Sequence, residues 1–152
     1  MTRANARELA VHLIYSCDFT GDEPEQVITA RMDKAYYQLL SSENHVYAER
    51  PSRAQQAYID NVVIGVVNRM EVLNQIIAKY SIGWDLTRIS RLARAAMQLA
   101  IFEIQNIDDV PVGVAISEAV RIVKLYEGNE VSGFVNGILG SFAREISSEV
   151  MQ

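Results

Sequence analysis

The chain has 152 residues, 49% of them hydrophobic and 22% charged, with a formal net charge of −5 and one cysteine, Cys17. That length suits one domain with a core that needs no staples, and a lone thiol excludes an internal disulfide and a multi-cysteine zinc site. The acidic balance excludes nucleic-acid binding through bulk positive potential, so any RNA contact must be a local patch.

The first twenty residues alternate polar with apolar and carry no signal-peptide core, and no apolar run is long enough to span a membrane, which points to the cytoplasm. In that segment Ala6, Leu9, Ala10, Leu13, Ile14 and Cys17 recur at helical steps and define one buried stripe, with Phe19 and Gly21 near its end. Arg3 and Arg7 flank the stripe, and Tyr15 lies nearly opposite its centre, so the spacing predicts an exposed ring. Positive charge and an exposed ring on one helix are the two elements of single-stranded RNA recognition, phosphate contact and base stacking.

A second helix is predicted from Glu23 to about Ser42, with Pro24 in its first turn, followed by a polar loop from Ser41 to Arg50 that Pro51-Ser52 closes. From Arg53 to Tyr80 the apolar positions do not keep one phase, which predicts two helices meeting near Asn68. Ser81 to Asp85 reads as a connection, with Asp85 or Thr87 capping the next helix and Trp84 packing where the two halves meet. That helix has a core side of Ile89, Leu92, Ala96, Ala100 and Ile104. Arg91, Arg94 and Gln98, with Arg88 beside them, form a short basic face, by default a solvated surface. Glu103 falls among the apolar positions and reads as a buried structural acid, since nothing nearby in sequence completes an acid–base pair.

From Val110 onward, Val112, Ala115, Ile116, Ala119, Ile122, Val123 and Tyr126 keep a helical period until the turn Glu127-Gly128-Asn129. A last helix follows, with Phe134, Val135, Ile138, Leu139, Phe142 and Ile146 on one side. Gly133, Gly137 and Ser141, spaced by four, share a face that lets a backbone or a ligand come close, with tight helix packing the leading reading. Phe134 borders that face, where its ring either closes the core or stacks on a base. Strand patterning is absent. The expected fold is all-α, about seven helices in two packed subbundles, residues 1–80 and 85–150. His12 and His45 lack metal-ligand spacings and read as solvated, the Walker lysine is missing, and no hydrolase triad or dinucleotide fingerprint occurs, so no metal, cofactor or catalysis is expected.

Val110-Pro111, the run Val114-Ala115-Ile116-Ser117-Glu118-Ala119-Val120, Lys124, Gly128 and the run Phe134-Val135-Asn136-Gly137-Ile138-Leu139 stand in joint order and spacing. At these residues the chain resembles the NusB family of bacterial transcription antitermination factors. Weaker similarity covers nearly the whole chain, as at Arg7-Glu8-Leu9-Ala10, Ile14-Tyr15, Arg94, Met97, Ala100, Phe102 and Glu103. The resemblance implies binding of single-stranded boxA-type RNA in nascent ribosomal RNA leaders. The implied partners are NusE, a small-subunit ribosomal protein, and an antitermination complex on RNA polymerase. Family members occur as monomers or dimers, so a homodimer is compatible with it. The resemblance implies RNA contact at the basic start of the first helix and beside Phe134, and with the positions read above the candidate RNA-facing residues are Arg3, Arg7, Tyr15, Arg91, Arg94, Glu130, Gly133, Phe134 and Gly137. Gly133 stands where the family often has a basic residue, and the basic N-terminal cluster is reduced to Arg3 and Arg7, which predicts weak RNA binding alone and a gain with the partner. Two rival readings are a protein-only helical adaptor and the NusB-like domain that begins certain RNA cytosine methyltransferases. The latter requires a following cofactor-binding domain with a catalytic cysteine, whereas this chain ends at Gln152.

Overall fold

The computed structural model describes residues 1–83 and 89–150, with side chains described through residue 148. Among the described residues every regular element is helical: α1 (Arg3–Thr20), α2 (Pro24–Met32), α3 (Lys34–Leu40), a short 3-10 helix (His45–Ala48), α4 (Arg53–Asn68), α5 (Met70–Tyr80), α6 (Arg91–Asn106), α7 (Val112–Glu127) and α8 (Asn129–Val150). The architecture is all-α, with eight α-helices described rather than about seven. No described helix is long and apolar enough to cross a membrane.

The extra helix comes from a break at Asp33. Its backbone leaves the helical region at φ −52°, ψ 128°, and its carboxylate accepts from the Tyr36 N–H at 3.1 Å, so the expected Glu23–Ser42 helix becomes α2 and a capped α3. The phase slip predicted near Asn68 is real: Arg69, at φ −119°, ψ 16°, separates α4 from α5.

Two compact units result, Met1–Asn68 and Arg69–Gln152. The division therefore falls about twelve residues earlier than the expected boundary near Tyr80. Helix α5 packs on α6 and α8, which places it in the second unit.

In the first unit α1 contacts α2, α4 and the 3-10 helix. Thr2 caps its start by accepting from the Asn5 N–H at 3.0 Å, and Gly21, at φ 75°, ends it by donating to the Cys17 carbonyl at 2.9 Å. Burial is continuous from Ala6 to Val11 and resumes at Leu13, Ile14 and Cys17. A helix enclosed in this way has no single apolar stripe, which is why Val11, outside the stripe of Ala6 to Cys17, is also fully buried. Helix α4 begins with a capping box in which the Ser52 hydroxyl accepts from the Gln55 N–H at 3.2 Å and the Gln55 side chain accepts from the Ser52 N–H at 2.9 Å. Its buried Ile59, Val62, Val63 and Val66 each contribute roughly 1.5–3 kcal/mol of burial.

The second unit repeats the arrangement around α6, which contacts α5, α7 and α8. Ala93 and every residue from Ala95 to Glu103 are buried, and the alanines at 93, 95, 96 and 100 allow close approach on several sides. Ser90 caps α6, accepting from the Ala93 N–H at 3.0 Å and donating to Glu127 at 2.8 Å. The caps expected at Asp85 or Thr87, the packing of Trp84, and Arg88 lie outside the described residues. Helices α7 and α8 are amphipathic, but Val112 and Tyr126, read on the core stripe of α7, are exposed at its two ends. Ala115, Ala119, Ile122 and Val123 on α7 and Val135, Ile138, Leu139 and Phe142 on α8 are buried, and the two helices pack on each other.

Candidate nucleic-acid interface

The first unit carries Arg3, Arg7 and Tyr15. Arg3 opens α1 and is exposed, whereas Arg7 is only 6% exposed. Arg7 belongs to the continuous buried run of α1, so it is not the solvent-facing cation that its position beside one stripe predicts. Tyr15 is 37% exposed, as its angular position requires, and it has company that the sequence reading did not give it. Phe19, one turn on, is 65% exposed, and its ring lies parallel to that of Tyr15, within 6°, at a centroid distance of 6.2 Å. The i, i+4 spacing was the available signal, because residues four apart share a helix face.

A polar network beneath this surface holds α1 in place. The Arg31 guanidinium on α2 donates to the Tyr47 hydroxyl at 2.6 Å and to the Ser16 hydroxyl at 2.8 Å. The Tyr47 oxygen thereby accepts, which leaves its own proton for Nδ1 of His12, 3.1 Å away. Burial holds the His12 pKa down to about 4 and keeps the ring neutral, with the Glu8 carboxylate pulling the other way. On the same face of α1, Nε2 of His45 lies 3.0 Å from the buried carboxylate of Glu8. His12 is therefore tied into the unit, not solvated as its spacing suggests, whereas His45 contacts Glu8 and stays exposed. Cys17 is buried beside them; that burial, followed by the field of Asp22, raises its thiol to about 11 and makes it a poor nucleophile.

The second unit carries the remaining expected residues. Arg91 is exposed and Arg94 half-buried at the start of α6, but Gln98 is buried and its amide donates to Asn74 at 2.7 Å. The basic face of α6 is thus one turn long. Glu103 is fully buried, consistent with a structural acid. On α8, Glu130, Gly133 and Gly137 are exposed and brought onto one face by three- and four-residue steps. A Cβ built on Gly133 or Gly137 would meet no heavy atom within 4 Å. The small-residue face is open, which corrects the reading of these glycines as a tight helix contact. Phe134 is half-buried at its border. Among the described residues no group of three His, Cys, Asp or Glu side chains could hold a metal ion.

The NusB family matches residues 4–144, nearly the whole chain. The chain belongs to the NusB family. It is 38% identical to the transcription antitermination protein NusB of Acetivibrio thermocellus over 144 residues, covering 95% of this chain and 90% of that protein. The protein of the same name from Enterococcus faecalis is 31% identical over 150 residues, with 98% and 94% covered. Among solved structures, T. maritima NusB matches with a TM-score of 0.75 at 25% identity, covering 95% of this chain and 93% of that one. A structure of the antitermination factors NusB and NusE in complex with dsRNA matches with a TM-score of 0.73, covering 94% of this chain and 96% of that one. At 22% identity, that last likeness concerns the fold alone.

Proposed function

We propose that this NusB-family chain is a cytoplasmic transcription antitermination factor that binds boxA-type single-stranded RNA of nascent ribosomal RNA leaders. It does so together with a NusE-type ribosomal protein, within an antitermination complex on RNA polymerase, and without a catalytic step. The observation that carries this reading is the family match across residues 4–144. A solved neighbour that contains NusB, NusE and RNA together supports the choice of partners.

In this reading Arg3 contacts phosphate and Tyr15 stacks on a base in the first unit. In the second, Arg91 and Arg94 add charge, while the open face of Glu130, Gly133 and Gly137 lets the RNA backbone come close beside Phe134. Burial of Arg7 removes it from direct contact. With so few exposed cations, affinity for RNA alone is low, and the ribosomal partner supplies the rest. Titrating labelled boxA RNA with and without the NusE-type protein, at two salt concentrations, tests this. The reading requires tighter binding with the partner and weaker binding at higher salt; equal affinities in all four conditions would reject it.

The burial of Arg7 and the net charge of −5 favour one second reading, a helical adaptor that binds protein partners only. Such an adaptor keeps the ribosomal partner when Arg3 and Tyr15 are replaced and shows no RNA binding to lose.

A further inference from the structure

We propose that the C-terminal end of α1 is a docking surface for a basic protein segment, with an arginine side chain laid on the Phe19 and Tyr15 rings and the neighbouring carboxylates supplying the counter-charge. The surface goes beyond the RNA reading and shares one ring, Tyr15, with it.

Phe19 is the more exposed of the two rings, at 65%, which is a large apolar area to leave in water on a helix otherwise well buried. Its ring stands parallel to that of Tyr15, within 6° at a centroid distance of 6.2 Å, so the pair forms a stacked aromatic shelf along the helix. A planar guanidinium stacks on such a shelf through both its π-face and its charge, and arginine does this better than lysine.

The charge around the shelf selects the same partner. Between residues 16 and 30 the chain has Asp18, Asp22, Glu23 and Glu25 and neither lysine nor arginine. Asp22, Glu23 and Glu25 are exposed. Arg31, the next cation along, turns its guanidinium inward to Tyr47 and Ser16. Burial is the main cause of the raised Cys17 thiol pKa, and Asp22 and Glu25 add to it while Arg31 opposes them. Arg3 is sixteen residues before Phe19, roughly 24 Å along the helix, so it does not offset these carboxylates. Around Phe19 this field attracts a cationic segment.

The test uses the full chain and a fluorescein-labelled peptide of alternating arginine and glycine, followed by anisotropy at low salt. Phe19→Ala and Asp22→Asn should each weaken binding by roughly two- to fivefold, and a lysine–glycine peptide should bind less tightly than the arginine one. Glu71→Gln, which removes the same charge from an exposed position on α5, should leave binding unchanged. Phe19→Leu, which keeps the apolar bulk, should behave like Phe19→Ala. Equal losses from Glu71→Gln and Asp22→Asn would reduce the effect to bulk attraction and overturn the proposal. So would Phe19 variants that bind the peptide normally, or a loss confined to oligouridine RNA in a parallel titration.

Discussion

Nδ1 of His12 lies 3.1 Å from the Tyr47 hydroxyl, and the same hydroxyl accepts from Arg31 at 2.6 Å. The geometry suits a neutral imidazole, and burial holds the His12 pKa down to about 4 against an ordinary value of 6.5. Between these values the unfolded chain binds a proton that the folded chain refuses. His12 therefore contributes stability that is full above pH 6.5 and is lost as the pH falls toward 4, by an amount on the order of 3 kcal/mol. Denaturant unfolding at pH 7 and pH 5 should show the loss, and His12→Gln should flatten that part of the profile.

Arg31 is the hub of the network, since it ties α2 both to α1 through Ser16 and to the 3-10 helix through Tyr47. Arg31→Met keeps much of the apolar stem and removes both charged hydrogen bonds. The expected cost is about 2 kcal/mol, read as a lower midpoint in urea with an unchanged m-value.

Gly133 and Gly137 lie inside α8 on an open face. Alanine at either position should stabilise the chain, by roughly 0.5–1 kcal/mol, because nothing nearby resists the added methyl and helical entropy favours it. If the RNA backbone passes close to this face, the same substitutions should weaken boxA binding. A gain in Tm with a loss in RNA affinity is the expected pair of results. A drop in Tm would mean that the glycines do serve a tight contact.

Gly128, between α7 and α8, is different. It sits at φ 90°, ψ −173°, a region that side chains avoid, and its N–H donates to the Lys124 carbonyl at 3.0 Å. Gly128→Ala should cost about 1–3 kcal/mol even though there is room for the methyl, and thermal unfolding will show it.

The parts of this structure that sequence reveals are those with one buried face. Helices α7 and α8 alternate core and solvent residues at helical spacing, so Ile122, Val123, Leu139 and Phe142 were placed correctly from period alone. Helices α1 and α6 are enclosed by three neighbours each, and there a single-stripe reading fails. It puts Arg7 and Gln98 at the surface, whereas the chain buries both. The break at Asp33 depends on one side-chain cap within an otherwise helical stretch, a signal too local for periodicity to register. The openness of Gly133 and Gly137 depends on what lies across from α8, which spacing cannot give. Phe19 follows Tyr15 by four residues, so its exposure is signalled by spacing, yet the stripe reading leaves it at the end of the buried face.

In the proposed complex Arg3 and Tyr15 meet RNA. Anisotropy titrations of labelled boxA RNA with the chain and a NusE-type partner, run across a salt series, test this most directly. Tyr15→Ala should weaken binding about tenfold through the loss of one stacked base, and Arg3→Ala should lower the slope of log affinity against log salt by about 0.7, the loss of one phosphate contact. Both variants should still bind the ribosomal partner. Unchanged RNA affinity and salt slope in both variants would contradict the claim and leave the protein-only adaptor in its place.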